Sequence, residues 1–184
     1  MSVAARDPRP LTGEPLSLDL LNTRWMHEGV IQDLLTDTDG LAVWLAANAL
    51  EFTADEATLR HALTARDALR ATVDGSLTDG SLAEGAGRVD AVLAHGRIRA
   101  TLTAEGPGEE AEFRDPSWGP AWLAARDYLE LLDTAPDRVR RCAHESCVLH
   151  FFDTSRNGTR RWCSMAACGN RAKASRHYAR TREG

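Results

Sequence analysis

Over residues 16–23 (L-S-L-D-L-L-N-T) the apolar Leu16, Leu18 and Leu20 alternate with Ser17, Asp19 and Leu21, which predicts a short strand or a strand-to-helix entry. Residues 41–50 predict a short helix with Leu41, Trp44, Leu45 and Ala49 near one face. Thr53 and Glu56 form a capping box, each side chain placed to satisfy the other's free amide. The box opens a helix carrying Leu59, Ala62, Leu63 and Leu69 that should end near Asp74 and Gly75. Ser81 and Glu84 repeat the box before a helix with Leu82, Val89, Val92 and Leu93, weakened by Gly85 and Gly87. A hairpin is expected next: Ile98, Ala100 and Leu102 alternate with polar residues, Gly106-Pro107-Gly108 turns the chain, and Ala111 and Phe113 alternate on the return. Trp118, Trp122, Ala125, Leu129 and Leu132 then form the stripe of an amphipathic helix. The turn at residues 134–137 is the natural boundary.

These elements give an α+β protein. A mostly helical N-terminal domain with a β-hairpin and a short N-terminal strand spans residues 1–137, and a small cysteine-bearing unit follows over residues 138–184. The 184 residues and 43% hydrophobic content suffice for a packed core and exclude wholesale disorder. No apolar run approaches the roughly 20 residues of a membrane span, and the first ten residues lack an apolar signal core. A cytoplasmic protein without a membrane partner is expected. The net charge of −5 hides a division, because eleven basic and three acidic residues leave +8 on residues 138–184 and therefore −13 on residues 1–137. Lys173 is the only lysine, so arginine supplies nearly all the positive charge, from coding bias or for planar bidentate contacts.

All four cysteines lie in the basic tail. Cys142 and Cys147 form one C-x4-C pair, and Cys163 and Cys168 form another. Two local pairs of thiolates can close a tetrahedral shell around one zinc ion. Two disulfides are the competing use, disfavoured in a reducing compartment, where short local bridges would also staple little. His144, His150 and His177 are further candidate ligands, each more often a bystander. Four cysteines leave no open coordination position, so the metal is expected to be structural, worth ~10–16 kcal/mol in small zinc modules. Residues 139–142 and 148–152 can pair as strands, and a helix from Cys168 and Gly169 through Arg180 would place the second pair at a helix N-terminus. A turn, a hairpin and a terminal helix around one metal describe a treble-clef-like finger.

The segment from Cys142 to Arg171 contains F-x-D-x-S-R-N at residues 151–157, R-R-W-C-S-M at residues 160–165 and C-G-N-R at residues 168–171, and it resembles the CGNR zinc-finger proteins of bacteria. Upstream, L-D-L-L-N-T at residues 18–23 resembles the start of the ABATE domain that precedes this finger, with Leu20 and Leu21 where an aromatic and a branched residue are usual. The two resemblances cover nearly the whole chain. They imply a stress-induced or otherwise ligand-responsive transcription regulator with a DNA-binding finger.

The tail's charge fits a phosphate-binding surface. Lys173, Arg176 and Arg180 share one face of the expected terminal helix, with Arg171 bracing the zinc loop. Arg156, Asn157, Arg160 and Arg161 lie in a polar loop and could reach base edges or phosphates, although Asp153 with Arg156 or Arg160 would also make an internal brace. Trp162 is expected to pack over the zinc core. DNA is favoured over RNA because few tail aromatics are free for stacking. The alternative is an interaction adaptor whose finger docks an acidic partner surface. An enzyme is not expected: Asp19, Asn22, Thr23, Arg24 and His27 cluster without a phosphate loop, nucleophile elbow or metal pair. Asp19, Asn22 and Thr23 are instead the candidate contacts for a small-molecule ligand in a cavity beside the hairpin, or else they satisfy backbone amides at a strand end. The charge division also allows the acidic half to mask the finger.

Overall fold

A computed structural model describes residues 7–170. The chain opens with α1 (Leu16–Leu21), then β1 (Arg24–His27) and β2 (Val30–Asp33), α2 (Thr38–Ala47), α3 (Glu56–Asp79) and α4 (Ala83–Leu93). A hairpin of β3 (Gly96–Thr103) and β4 (Gly106–Phe113) leads through a 3-10 turn, Pro116–Trp118, into α5 (Gly119–Thr134). A second 3-10 turn, Pro136–Arg138, precedes β5 (Val139–Arg141) and β6 (His150–Phe152), and a single wide turn, Met165–Gly169, follows. The protein is α+β, with helices forming the body. The strands make three separate antiparallel pairs, β1 with β2, β3 with β4 and β5 with β6. Among the described residues no helix is long and apolar enough to cross a membrane.

The long α3 and α5 frame the core, and small residues let them approach closely. Ala62, Ala65 and Ala68 of α3 and Ala121, Ala124 and Ala125 of α5 are buried together with Leu69, Val73 and Tyr128. On α5 the buried stripe is therefore turned from the expected one: Leu129 is exposed, and Trp118 lies in the preceding 3-10 turn. The N-cap of α3 is Asp55, whose carboxylate accepts from the Thr58 amide at 2.8 Å, in place of the expected Thr53 box. The helix also runs past Gly75 to Asp79 and ends at Gly80 in the left-handed conformation. Gly85, a predicted weakness of α4, is what lets the two helices touch: a Cβ there would come within 2.0 Å of the Thr72 hydroxyl. The N-cap of α4 is Leu82, which makes no side-chain cap bond, and Ser81 lies one residue earlier, its hydroxyl accepting from the Ala83 amide.

The β3–β4 hairpin turns at Ala104 and Glu105, since Thr103 pairs with Gly106, and Pro107 sits opposite Leu102 on the ladder. Both strands are edges, where a proline's missing donor is tolerated. The β1–β2 hairpin was not expected. Glu28 and Gly29 turn it, both at positive φ, but its strands lack an apolar alternation: Trp25 is buried while Val30 and Ile31 are exposed.

Residues 16–21 form a helix and not a strand. Ser17, Leu18, Asp19, Leu20 and Leu21 are all buried, because α3, α5 and β6 surround this single helical turn and a half. Its alternation does not separate an inside from an outside, and the polar side chains are satisfied internally. Ser17 donates its amide and hydroxyl to Asp127 at 2.8 and 2.6 Å. Asp19, only 1% exposed, accepts from Arg9 at 2.7 Å, the Trp44 indole at 3.0 Å, Asn48 at 3.0 Å and the Gly13 amide at 3.1 Å. Asp19→Ala should leave the buried Arg9 guanidinium without that partner and lower unfolding free energy by about 3–5 kcal/mol, more than Asp19→Asn. Urea titration checks the order, and a loss below about 1 kcal/mol, the level of an exposed pair, would refute the central role of this carboxylate.

Candidate metal centre and its junction with the helical body

The four cysteines converge although two hairpin strands and a long loop separate them in sequence. Cys142 follows β5, and its amide donates to the Leu149 carbonyl at 2.9 Å, closing the first pair into a turn. Cys147 donates its amide to the His144 carbonyl at 2.9 Å. Cys168 ends up beside them because Ser164 caps the wide turn, its hydroxyl accepting from the Ala167 amide at 2.9 Å. All four side chains are buried and none is in a disulfide. Their sulfurs lie within 4.8 Å of one another, with Cys147 to Cys163 at 3.9 Å and Cys163 to Cys168 at 3.6 Å. A tetrahedral shell with zinc–sulfur bonds of about 2.3 Å has edges of about 3.8 Å, so the cluster fits zinc. It does not fit two disulfides, whose sulfurs would be about 2.05 Å apart.

The electrostatics are compatible with the same ion. Cys142 is driven well below the ordinary thiol range because the Cys147 and Cys163 thiols hydrogen-bond to it. In turn Cys147 is pushed up to about 12 by its bond to Cys142. Cys163 is raised by its bonds to Cys142 and Cys147, and Cys168 chiefly by burial. One thiolate is stabilised and further ones are opposed. A divalent cation removes that conflict and lets all four ionise. Four sulfurs close the shell, leaving no position for water or substrate, so the ion's chemistry here is structural.

The histidines are not ligands in this arrangement. The His144 Nδ1 is 3.0 Å from the Ser146 hydroxyl. His150 is buried with Nε2 3.4 Å from Asp74, beyond a well-formed hydrogen bond, and this imidazole holds the Asp74 carboxyl below its usual range. His177 lies outside the described residues.

Around the sulfurs, arginines hold the loop. Arg138 donates to the carbonyls of Asp153 and Ser155 at 3.0 and 2.7 Å, and Arg140 to that of Gly158 at 3.1 Å. The buried Asp153 carboxylate accepts from the amides of Ser155 and Arg160, both at 2.9 Å, and the Ser155 bond keeps it below the ordinary carboxyl range. Arg160, expected at a nucleic-acid surface, points inward: it lies over the Phe151 ring at 4.2 Å and donates to the carbonyls of Trp162 and Cys163. Its donors are spent on the zinc loop. Arg156, Asn157 and Arg161 are exposed, and Arg161 lies over Trp162 at 5.4 Å. Trp162 is half-buried and leans on the turn at Gly169, where a Cβ would be 3.4 Å from its ring. Arg171, Lys173, Arg176, Arg180 and the expected terminal helix lie outside the described residues.

The residues expected as ligand contacts are each engaged by partners within the fold. Asn22, fully buried, reaches from the end of α1 to the outer edge of β6: its amide nitrogen donates to the His150 carbonyl at 2.8 Å, and its oxygen accepts from the His150 amide at 2.9 Å. Glu14 accepts from the next outward amide, Phe152, at 2.8 Å, and approaches Arg160 at 3.4 Å. Together they occupy backbone groups that a short edge strand would otherwise expose. Thr23 donates to the Leu20 carbonyl at 2.7 Å and accepts from Arg66, which also grips Asp33 at 2.6 and 2.8 Å. Asp19 is satisfied by the four donors described above. The signal for Asn22 and Glu14 was absent from local sequence, since their partners lie 128 and 138 residues away. Leu149, Phe151 and the cysteines belong to the same core as Leu18 and Leu20, so the finger is packed onto the body.

Two outcomes follow from this geometry. Metal analysis should find one zinc per chain, taken up with proton release and more tightly as pH rises, because the raised thiols must lose protons to bind. Cys142→Ser should abolish that zinc and lower the melting temperature of the whole chain, since Phe151 and Leu149 are shared; an unchanged melting temperature would refute the common core. Asn22→Ala should cost about 1–3 kcal/mol in urea unfolding by leaving the buried His150 amide and carbonyl unpaired, with the zinc stoichiometry retained.

Comparison with known families adds to this geometry. Residues 138–181 match the CGNR zinc finger, which takes in all four cysteines. Residues 14–135 match the ABATE family, described as "Putative stress-induced transcription regulator". No curated protein matches the chain. Since the second match spans more than half of the sequence, the chain belongs to the ABATE family, with a CGNR zinc finger following its ABATE domain.

Proposed function

We propose that this is a cytoplasmic, non-catalytic regulator that binds duplex DNA through its finger, with the ABATE domain holding and modulating that finger. The observation that carries the reading is the division of labour among the finger's arginines. Arg138, Arg140 and Arg160 are spent on loop carbonyls, whereas the exposed Arg156 and Arg161 have no acidic partner among the described residues. Unpaired guanidinium groups on a rigid zinc-held loop lose little further freedom on meeting phosphate. Asn157 beside Arg156 adds a donor–acceptor pair suited to a base edge. Lys173, Arg176 and Arg180 extend the charge in sequence, and the tail's +8 is the electrostatic attraction. Among the described residues Arg156 and Arg161 are exposed and not covered by the acidic half. The one ion pair from a finger arginine to that half among the described residues is Arg160 with Glu14.

The rigid junction supports modulation. A change in the body that moves α1 acts on β6 through Asn22 and Glu14 and on the zinc loop through Arg160. An adaptor is the second reading, supported by a shallow cavity of about 340 Å³ where Thr159, Arg161, Trp162 and Met165 put apolar surface beside positive charge. Salt-titrated binding to duplex DNA separates the two. About five neutralised phosphates should give a log–log slope of about −4 to −5, and Arg156→Ala, Arg161→Ala or Arg176→Ala should each reduce its magnitude by about 1. Arg160→Ala should instead lower the melting temperature. A slope near zero would overturn DNA binding and leave the adaptor.

A further inference from the structure

The root of the β3–β4 hairpin carries a cleft of about 360 Å³ lined by His95, Gly96, Arg97, Glu112, Phe113 and Arg114. Its walls are fixed from behind. The His95 ring stacks on Trp118 with centroids 3.6 Å apart and planes 3° from parallel, and His61 stacks on the same indole at 3.9 Å. Phe113 meets Trp122 edge-on at 5.6 Å and Phe52 at 6.0 Å. Gly96 is pressed so close that a Cβ would lie 2.8 Å from the Trp122 indole and 2.9 Å from Phe113.

Two polar groups of this cleft are unspent. Arg114 is exposed and has no hydrogen bond or ion pair among the described residues, and the His95 ring nitrogens have no hydrogen-bond partner there. Glu112 is the only carboxylate in the lining, and it is occupied by Arg97 at 2.6 Å and Arg99 at 2.5 Å, which hold it below the usual carboxyl range. A cation-edged cleft thus stands in a half of the chain whose net charge is −13. That wider field repels an extended polyanion, while a small monoanion meets mainly the local guanidinium groups.

We propose that this cleft binds a small organic carboxylate with a flat apolar body, the body against Phe113 and His95 and the carboxylate gripped by Arg114. The cavity has the size of one small-molecule site, and the guanidinium fork matches a carboxylate in two parallel hydrogen bonds. The ordered rings mean that little has to be arranged when the ligand arrives. This site does not depend on the finger's binding nucleic acid.

The test uses the zinc-loaded full chain and sodium benzoate as probe, at constant ionic strength. Benzoate should shift the His95 ring resonances saturably, with His95→Gln identifying them, and should raise Tm. Arg114→Gln should weaken benzoate about tenfold or more, and acetate should bind more weakly than benzoate in the parent chain. Arg126→Gln, which removes an exposed ion pair with Glu130 on α5, should leave benzoate affinity unchanged. The Tm without ligand verifies that each variant is folded. No saturable His95 shift, an affinity indifferent to Arg114→Gln, or inorganic phosphate binding as tightly as benzoate would overturn the proposal.

Discussion

The structure depends on how the outer edge of β6 is satisfied. A three-residue strand cannot hold itself, and its inner side is paired only with the equally short β5. Asn22 supplies what another strand would, one donor and one acceptor to His150, and Glu14 takes the amide of Phe152. Because Asn22 ends a helix that is itself buried, the finger's strand is built into the body, and Phe151 packs in the common core. The zinc shell then closes the other end of the same strands.

The two sources of order are complementary. The body is stabilised in the ordinary way, by apolar burial between α3 and α5, with Asp19 and Arg9 neutralising each other inside it. The finger adds Val139, Leu149 and Phe151 to that core and relies on a cation to reconcile four close sulfurs. Arg160 connects these regimes, touching Glu14 of the body, Phe151 of the core and the carbonyl of a zinc ligand. An arginine with such inward commitments has no freedom to follow a phosphate. Surface charge in the tail therefore overstates the charge available to a partner.

The same sorting operates in the acidic half. Among the described residues most of its arginines are paired with carboxylates, as Arg66 is with Asp33 and Arg97 with Glu112. Arg60, Arg70, Arg88 and Arg114 have no ion pair there, and of these Arg114 lies at the mouth of an aromatic cleft. Net charge describes the field seen at a distance, but which cations remain unpaired describes recognition at contact.

The sequence by itself determined what depends on neighbours in the chain. The two C-x4-C pairs, the α5 segment, the β3–β4 hairpin and the pairing of residues near 139 and 151 were legible because spacing and periodicity are local quantities. The tertiary structure decided what depends on distant partners. Leu16, Leu18 and Leu20 read as a strand or a strand-to-helix entry, and the segment is a helix throughout, since packing on all sides removed the contrast that alternation reports. The β1–β2 hairpin was illegible because its exposed Val30 and Ile31 break the apolar pattern. Asp19, Asn22 and Thr23 were recognisable as unusual polar residues in an apolar run, and Asp19 and Asn22 do accept backbone amides, but their partners were not legible, because Arg9, His150 and Arg66 reach them only after folding. Burial assigns a polar side chain its partner, and burial is a property of the whole chain.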